Sequence, residues 1–400
     1  MIINSIDTKD ISFVVQGAVD EVNTKLCLDS IRRNFPGCTI ILSTWENTNI
    51  RGLTYDKIIF NKDPGSAVYN IGGTFNNINR QILSSYEGLK SVTTQYAAKV
   101  RSDLIFESPV FLTYFNKFLN YNEDYRLVKS RMIILSMYSR NLADISDGVH
   151  LQNYHPSDWF CFGYTEDVIK YYSAPLIPSI PEFSRFFLDF DKREKLPYEH
   201  AFFQHSPEQY LGAYFRGLNA SQENIITLSD VSRQKDSLQF LVNNFIILDY
   251  HYSQIYCGKW KEISRDEFKV ATTAVGLFFY GDFLRYYKRY CDTDYVIPDN
   301  IDKKMVRRKL RTAKEFLWRD KICGYLHKPY DICKNFAKNV FKKIFFAYRT
   351  AVRLEAAQQF HFDLLVSKLN ELSYEQEHLK EEICELKNHL SHNTESELGD

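Results

Sequence analysis

Short apolar runs alternate with longer amphipathic segments through the first two thirds of the chain. Residues 11–15 form the first run, which predicts a buried strand that ends at Gln16-Gly17. Residues 24–35 have apolar positions at helical spacing, and the Pro36-Gly37 pair predicts the end of that helix. Two more strands are predicted at residues 39–43 and 57–60. This β-α-β-β order is typical of one half of an open α/β sheet.

The same alternation continues as far as residue 251. A helix is predicted from about Thr74, and it places Asn77 and Arg80 on one face. The later predicted elements are a strand at 96–106, a helix at 110–119, strands at 131–137 and 159–163, a helix capped by Ser206 with Pro207 at its first position, and a strand from 243 to 251. Residues 175–200 contain four prolines and predict an irregular flap beside the cleft.

The strand at residues 96–106 carries unusual charges. Lys99, Arg101 and Asp103 alternate with Val100 and Ser102, so the three charged groups are predicted to lie on one side. Buried charges are costly unless they are paired, bind a metal or open into a cleft. An Arg101–Asp103 ion pair that closes the sheet edge and a metal or ligand site that uses Asp103 are both consistent with this pattern.

Polar side chains follow several of the predicted strands. In open α/β sheets, ligands bind outside the carboxyl ends of the strands, so Gln16, Trp45 and Asp63 are predicted to face one crevice. Arg80 is expected beside this crevice, and a guanidinium suits a diphosphate in charge and in donor geometry. Each of these residues, taken alone, also fits an ordinary loop or a solvated surface.

Two carboxylates are candidates for proton transfer. Asp158 lies in the loop His155–Asp158 before a predicted strand, where it either belongs to the polar rim of a sugar platform with Trp159 or caps a turn, and a glycosyltransferase would use it as a base. Glu208 lies in the first turn of a helix, where it either complements the helix dipole or takes a proton from an acceptor hydroxyl. Asp249 and His251 are two residues apart in a predicted strand, and they are expected to complete a metal or diphosphate site.

Charge is balanced over the 400 residues but unevenly distributed. Residues 303–353 hold 16 Lys/Arg against 3 Asp/Glu, whereas residues 354–400 hold 3 against 11. A basic block next to an acidic one predicts an interaction region rather than more core. The length of the chain, with 44% hydrophobic residues, favours one catalytic core with an appendage.

The basic block contains an amphipathic pattern. Apolar residues recur every four positions from Ile332 to Val352 among lysines and arginines. This pattern is typical of a helix on an anionic membrane surface, although a helix packed on the catalytic domain is the alternative. No segment resembles a base-reading module, so no nucleic-acid partner is expected.

A heptad repeat begins in the acidic block. Its core positions are Phe362, Leu365, Leu369, Leu372, Gln376, Leu379, Ile383, Leu386 and Leu390. Charged residues at the flanking positions suit a parallel, in-register coiled coil. A homo-oligomer, preferably a dimer, is therefore predicted.

Localisation is predicted from what the sequence lacks. The eight cysteines form no C-x-x-C pair and no His/Cys metal spacing, which favours a reducing compartment. The N-terminus has no signal-peptide pattern, and no apolar run reaches the ~18 residues that a membrane span needs. A cytoplasmic protein, peripheral on the inner membrane, is the expectation.

Nine stretches carry a combined pattern, and they are residues 13–17, 34–37, 42–47, 57–64, 76–81, 101–106, 155–160, 206–210 and 243–248. Together they resemble the WavE lipopolysaccharide synthesis proteins of bacteria. They occur in family order over about residues 11–260. The resemblance implies a role in building lipopolysaccharide core or capsule. It also implies a GT-A-like, Rossmann-like fold with a mostly parallel sheet flanked by helices, followed here by a C-terminal helical extension with a coiled coil.

The resemblance implies a glycosyltransferase that uses a nucleotide sugar and a saccharide or lipid-linked saccharide acceptor. On that interpretation Asp158 or Glu208 is the base, and the aromatic loop around Trp159 supports the acceptor. The residues that hold the donor are Gln16, Gly17, Trp45 and Asp63 at the nucleotide and Asn77, Arg80, Arg101, Ser102 and Asp103 at the diphosphate.

The metal motif departs from the GT-A pattern. GT-A enzymes typically show Asp-x-Asp, whereas this chain has Arg101-Ser102-Asp103. Either Asp103 binds Mn²⁺ or Mg²⁺ with Asp249 or His251, which we favour here, or Arg101 and Arg80 neutralise the leaving phosphate without a metal.

The predicted organisation is a catalytic domain at 1–260, a helical closing segment at 261–302, basic helices at 303–353, a coiled coil at 354–392 and a disordered tail at 393–400. Two alternative functions remain open. One is a non-catalytic scaffold of a polysaccharide assembly complex, and the other is a sugar phosphotransferase.

Overall fold

The computed structural model describes residues 6–65, 67–68, 75–145, 148–177, 206–219, 231–265 and 277–301. The chain divides into two compact units, Met1–Arg319 and Asp320–Asp400, and every described residue belongs to the first. The predicted basic helices, coiled coil and tail lie outside the described residues, as does most of the predicted flap at 175–200.

A seven-stranded sheet forms the centre of the described part. In chain order its strands are β1 Ile11–Gln16, β2 Thr39–Trp45, β3 Lys57–Asn61, β6 Tyr96–Arg101, β8 Met132–Leu135, β11 Phe160–Tyr164 and β12 Phe245–Leu248. Their order across the sheet is β3-β2-β1-β6-β11-β8-β12. β11 runs antiparallel to both of its neighbours, and all other pairings are parallel.

Three two-stranded sheets accompany the main sheet. They pair β4 Ala67–Val68 with β5 Phe75–Asn76, β7 Leu104–Phe106 with β13 Ile255–Cys257, and β9 Arg140–Ile145 with β10 Gly148–His155. The β7–β13 pair matters for the site, because it returns a distant part of the chain to the end of β6.

Helices flank the sheet. They are α1 Glu21–Asn34, α2 Ile78–Lys90, α3 Thr165–Tyr172, α4 Pro207–Arg216, α5 Gln234–Asn244, α6 Tyr250–Ser253, α7 Lys261–Arg265 and α8 Tyr280–Tyr290. Short 3-10 turns occur at Thr8–Asp10, Val110–Tyr114, Glu123–Tyr125, Val231–Arg233 and Gly258–Trp260. No helix among these described elements is long and apolar enough to cross a membrane.

The central strands are buried on both faces, which explains their unbroken apolar sequences. All six residues of β1 are buried, as are all four of β8 and of β12. Strands covered on both sides read as continuous apolar runs rather than as alternating ones. The prediction of a mostly parallel, Rossmann-like α/β sheet with flanking helices is therefore confirmed.

Two predicted elements are wrong, and the strand predicted at 96–106 is divided, because a turn at Ser102 and Asp103 separates β6 from β7 and takes Asp103 out of the strand. The helix at 110–119 is only a 3-10 turn that ends at Tyr114, since Phe115 is extended and Asn116 has a φ of 58°. Phe111, Phe115 and Phe118 are nevertheless buried, so irregular backbone places these rings in the core. The strand predicted at 243–251 is limited to β12, because α5 runs to Asn244 and Asp249 caps α6.

Candidate functional site

The predicted site residues meet at one edge of the sheet. β1, β2, β3 and β6 all end at this edge, and the reversed strand β11 begins there, because Phe160 pairs with Val100 next to the end of β6. Gln16 and Trp45 are the last residues of β1 and β2. The order of strands, rather than closeness along the chain, therefore brings Asp158 beside Arg101.

Arg101 and Asp103 form a two-point ion pair across the turn that follows β6. The Arg101 Nε lies 3.0 Å from the Asp103 Oδ1, and the Nη2 lies 2.7 Å from the Oδ2. The Arg101 side chain is 26% exposed and that of Asp103 only 5%. The structure thus contains the predicted Arg101–Asp103 ion pair, in which the guanidinium is the more exposed partner.

Backbone and hydroxyl contacts fasten this turn to the end of β1. The Ser102 amide donates to the Gln16 carbonyl at 3.1 Å, and the Ser102 hydroxyl donates to the Ala18 carbonyl at 2.7 Å. Gly17 takes a φ of 112°, which lets the chain leave β1 beside Ser102. The Gln16 Oε1 accepts a hydrogen bond from the Ser84 hydroxyl at 2.6 Å. The ends of β1 and β6 and helix α2 therefore form one connected unit.

A second two-point ion pair joins Asp63 to Arg80 near the start of α2. The Arg80 Nε lies 2.7 Å from the Asp63 Oδ1, and the Nη2 lies 2.6 Å from the Oδ2. The Arg80 Nη1 also donates to the Asn77 Oδ1 at 3.0 Å. The hydrogen bond from Arg80 lowers the pKa of the Asp63 carboxyl. The structure therefore brings these three predicted residues together.

Asp158 is buried at the entry to β11, and its backbone is held from two sides. The Lys99 ammonium and the Tyr172 hydroxyl, the latter at 3.3 Å, both donate to the Asp158 carbonyl. The carboxyl Oδ1 is buried and accepts no hydrogen bond from a residue in the described ranges. Burial, and then the charge of Glu208, raise the pKa of Asp158 to about 6.

Glu208 and His155 face each other beside Asp158. Ser206 caps α4 by accepting from the Gln209 amide at 3.1 Å, as predicted, and this cap places Glu208 in the first turn. The Glu208 Oε2 lies 3.7 Å from the His155 Nε2. Burial, and then the charge of Arg140, lower the pKa of His155 to about 3. Burial also raises the pKa of Glu208.

Two tryptophans flank the Arg101 guanidinium. The guanidinium carbon lies 4.0 Å from the ring centre of Trp159 and 5.7 Å from that of Trp260. The sequence predicted a role for the loop around Trp159 but missed Trp260. No local pattern signals that residue, because the pairing of β13 with β7 delivers it to the site.

Two of the predicted metal ligands have other partners in the structure. Asp103 is occupied by Arg101, and Asp249 caps α6 by accepting from the His251 amide at 3.2 Å. The side chain of His251 is exposed. Within the described ranges no three His, Cys, Asp or Glu side chains lie where they could hold a metal ion. In this structure Asp103 pairs with Arg101 and Asp249 caps α6, so the predicted set of Asp103 with Asp249 or His251 is not arranged as a three-ligand site within the described ranges.

A sequence model of the WavE lipopolysaccharide synthesis family matches residues 11–314. The chain belongs to the WavE family. The WavE match extends beyond the resemblance seen at residues 11–260 and takes in α8. Family membership assigns this WavE protein a role in lipopolysaccharide synthesis.

Other comparisons add little to the WavE assignment. A solved structure of 4-diphosphocytidyl-2C-methyl-D-erythritol synthase from Anaerococcus prevotii is similar at 15% identity and a TM-score of 0.25. That similarity covers 45% of this chain and 85% of the other. A comparison with curated proteins finds no match.

Proposed function

We propose that this WavE protein is a GT-A-like glycosyltransferase. It moves a sugar from a nucleotide sugar to a saccharide acceptor during synthesis of lipopolysaccharide or capsular polysaccharide. One observation carries the proposal. Two arginines that form ion pairs, Arg80 and Arg101, lie at the same sheet edge as the buried carboxyls of Asp158 and Glu208. Open α/β sheets bind ligands where the strand order reverses, which here is between β1 and β6.

The donor lies along the β1–β3 side of this edge in our proposal. Each of the two arginines grips a carboxylate through two oxygens, and a diphosphate offers oxygens in the same paired geometry. We infer that Asp63 and Asp103 hold the places that phosphate oxygens take when the donor binds. The nucleotide then lies against Gln16, Gly17 and Trp45. The residues assigned to the diphosphate are Asn77, Arg80, Arg101 and Ser102.

Asp158 is the base in this proposal. The acceptor hydroxyl oxygen bonds to the anomeric carbon of the donor, and the bond from that carbon to the diphosphate oxygen breaks with its electron pair on the phosphate. The hydroxyl proton passes to Asp158, whose Oδ1 accepts no hydrogen bond from a described residue. A pKa of about 6 suits a general base near neutral pH. Glu208 supports this role, because its charge helps to raise the pKa of Asp158.

Arg80 and Arg101 neutralise the leaving diphosphate in place of a metal ion. Preorganised cations stabilise charge that develops in a transition state. This version is favoured because both guanidiniums lie at the sheet edge, whereas Asp103 is paired with Arg101 and Asp249 caps α6.

One observation favours the alternative of a non-catalytic scaffold. Both guanidiniums are already neutralised by carboxylates of this chain, as they would be in a purely structural edge. The two functions differ in whether the edge exchanges these carboxylates for a diphosphate.

Thermal unfolding of the full chain with common nucleotide sugars, with and without Mn²⁺, tests the proposal. A ligand that binds the folded state raises the melting temperature by mass action. We expect one donor to raise it equally with and without Mn²⁺, and Arg80→Gln to abolish the shift. Arg32→Gln is the matched control, because Arg32 pairs with Asp56 at 2.8 Å at the opposite edge, where β3 begins.

Other outcomes select the alternatives. A shift that requires Mn²⁺ and is lost in Asp103→Asn would restore the metal version. No shift with any donor would favour the scaffold. For a donor that binds, product analysis with a saccharide acceptor separates sugar transfer from phosphotransfer.

A further inference from the structure

An exposed indole lies next to Arg101 and beside the loop that carries Asp158. Trp159 directly follows Asp158 and precedes β11, which pairs with β6. Trp260 packs against Trp159 with the ring centres 5.6 Å apart and the ring planes at 33°. The aromatic surface therefore continues from the loop before β11 to the segment after β13.

Tyr138, Trp159 and Trp260 form a short row of tilted rings, and the ring at one end is exposed. Tyr138 packs on Trp159 at 5.2 Å between ring centres, and Trp159 is 4% exposed. Trp260, at the far end, is 46% exposed. Single exposed apolar residues are common, but a tryptophan this exposed beside a guanidinium and a carboxylate offers an amphipathic binding surface.

Three contacts fix the segment that carries Trp260. The Gly258 amide donates to the Asp103 carbonyl at 2.8 Å. A Cβ on Gly258 would lie 2.3 Å from the Asn23 Oδ1, so this segment packs closely against the side chain of Asn23 on α1. The Lys259 ammonium lies 3.8 Å from the Asp20 carboxylate. The indole is thus held in place before any ligand arrives, which reduces the entropic cost of binding.

We propose that Trp260 is the platform for the acceptor saccharide. A pyranose ring has one face of C–H bonds and a rim of hydroxyls. The indole takes the C–H face by burial of apolar surface, and the Asp158 carboxyl, which directly precedes Trp159, accepts a hydrogen bond from a rim hydroxyl. This assignment rests on the proposed glycosyl transfer, because it places the acceptor next to the base Asp158, which directly precedes Trp159.

The test is calorimetric titration of the full chain with oligosaccharides released from bacterial lipopolysaccharide by mild acid. We expect saturable binding to the wild type and at least about a tenfold weaker affinity in Trp260→Ala, a loss of about 1.4 kcal/mol. Trp260→Phe keeps a ring and is expected to retain most of the affinity. Phe60→Ala is the matched control, since Phe60 is an aromatic residue with the same 46% exposure on β3.

The outcomes separate this proposal from the proposed function. Equal affinity in Trp260→Ala and wild type overturns the platform, and so does the absence of oligosaccharide binding to a wild type that binds a donor. If Trp260→Ala weakens binding of uridine or cytidine but leaves oligosaccharide binding unchanged, the platform is also overturned, and the indole is assigned to a nucleobase. If the chain binds no donor but its oligosaccharide binding requires Trp260, the platform stands and the proposed glycosyl transfer is overturned. A thermal melt of each variant confirms that it folds.

Discussion

The Lys99 ammonium donates a hydrogen bond to the backbone carbonyl of Asp158 from inside the protein. Lys99 is fully buried on β6, opposite Cys161 on β11. Burial lowers the pKa of Lys99 to about 8, and the charge of Asp158 opposes that shift. The loop that presents the proposed base is therefore held from beneath by a buried cation, rather than by contacts at the surface.

Replacing Asp158 with asparagine removes the proposed base without changing the shape of the side chain. We expect the transfer rate to fall on the order of 10²–10⁴-fold, with the donor-induced rise in melting temperature unchanged. In the wild type, activity should increase as the pH rises through about 6, because the carboxyl loses its proton there. Steady-state rates between pH 5 and 8 check both expectations, and an asparagine variant with wild-type activity would exclude this assignment.

The same substitution has an expected effect on stability. Because the folded-state pKa of Asp158 is raised, the native state holds this proton more tightly than the unfolded chain does. The carboxyl therefore reduces stability as the pH rises from its ordinary pKa towards about 6. Asp158→Asn lacks this loss and should melt no lower than the wild type at pH 7.5. A clearly lower melting temperature would mean that the carboxylate is a structural group.

Lys99→Met tests the buried lysine. The folded-state pKa of about 8 is below the ordinary value, so folding releases a proton between about pH 8 and the ordinary value, and Lys99 stabilises the fold increasingly as the pH rises through this range. The free energy of unfolding of the wild type minus that of Lys99→Met should therefore increase between pH 7.5 and 9.5. Urea unfolding at both pH values measures it. Lys90→Met, at an exposed lysine, is the control, and a difference independent of pH would contradict the prediction.

His155 should remain neutral in the folded protein at pH 5. Its pKa is lowered to about 3 by burial and then by Arg140, and its Nδ1 lies 2.8 Å from the Tyr138 carbonyl. That carbonyl only accepts, so the Nδ1 carries the proton. The unfolded chain takes up a proton near pH 6.5, so His155 reduces stability as the pH falls below about 6.5. NMR titration of the imidazole checks this, and a titration midpoint near 6.5 would refute it.

Gly212→Ala should loosen the packing of α4 on β10. A Cβ at this position would lie 2.1 Å from the Tyr154 carbonyl oxygen and 2.8 Å from the Pro156 Cδ. The helix must shift, and Glu208 at its start shifts with it, so we expect a loss on the order of 1–3 kcal/mol together with reduced transfer. Gly217→Ala is the comparison, since its site is open and only its φ of 86° opposes a side chain. Chemical denaturation should show the smaller loss there, about 1 kcal/mol, and the reverse order would contradict the packing explanation.

The sheet and much of its edge could be predicted because their signals are local. Apolar runs followed by polar residues indicate strands and the ends of strands, which located Gln16, Trp45 and Arg101. The Ser206-Pro207 pair likewise predicted the start of α4. These features depend on the backbone preferences of a few neighbouring residues.

The remaining features depend on interactions between distant segments or on competition between local ones. Trp260 reaches Arg101 only through the β7–β13 pairing, which joins segments about 150 residues apart and leaves no periodic signal. Asp249 follows an apolar run that suggests a longer strand, but its carboxylate caps α6 and ends that strand.

The reversed direction of β11 has a consequence for how members of this family can diversify. β11 is paired on both sides, with β6 and β8, so the loop that carries Asp158 is anchored to the most constrained strands of the sheet. The proposed nucleotide contacts Trp45 and Asp63 instead lie at or after the ends of β2 and β3, near the open edge of the sheet, where turns tolerate insertion and substitution. The choice of donor can therefore evolve through changes in those turns. Moving the proposed base Asp158 would instead require a new pairing register among β6, β11 and β8.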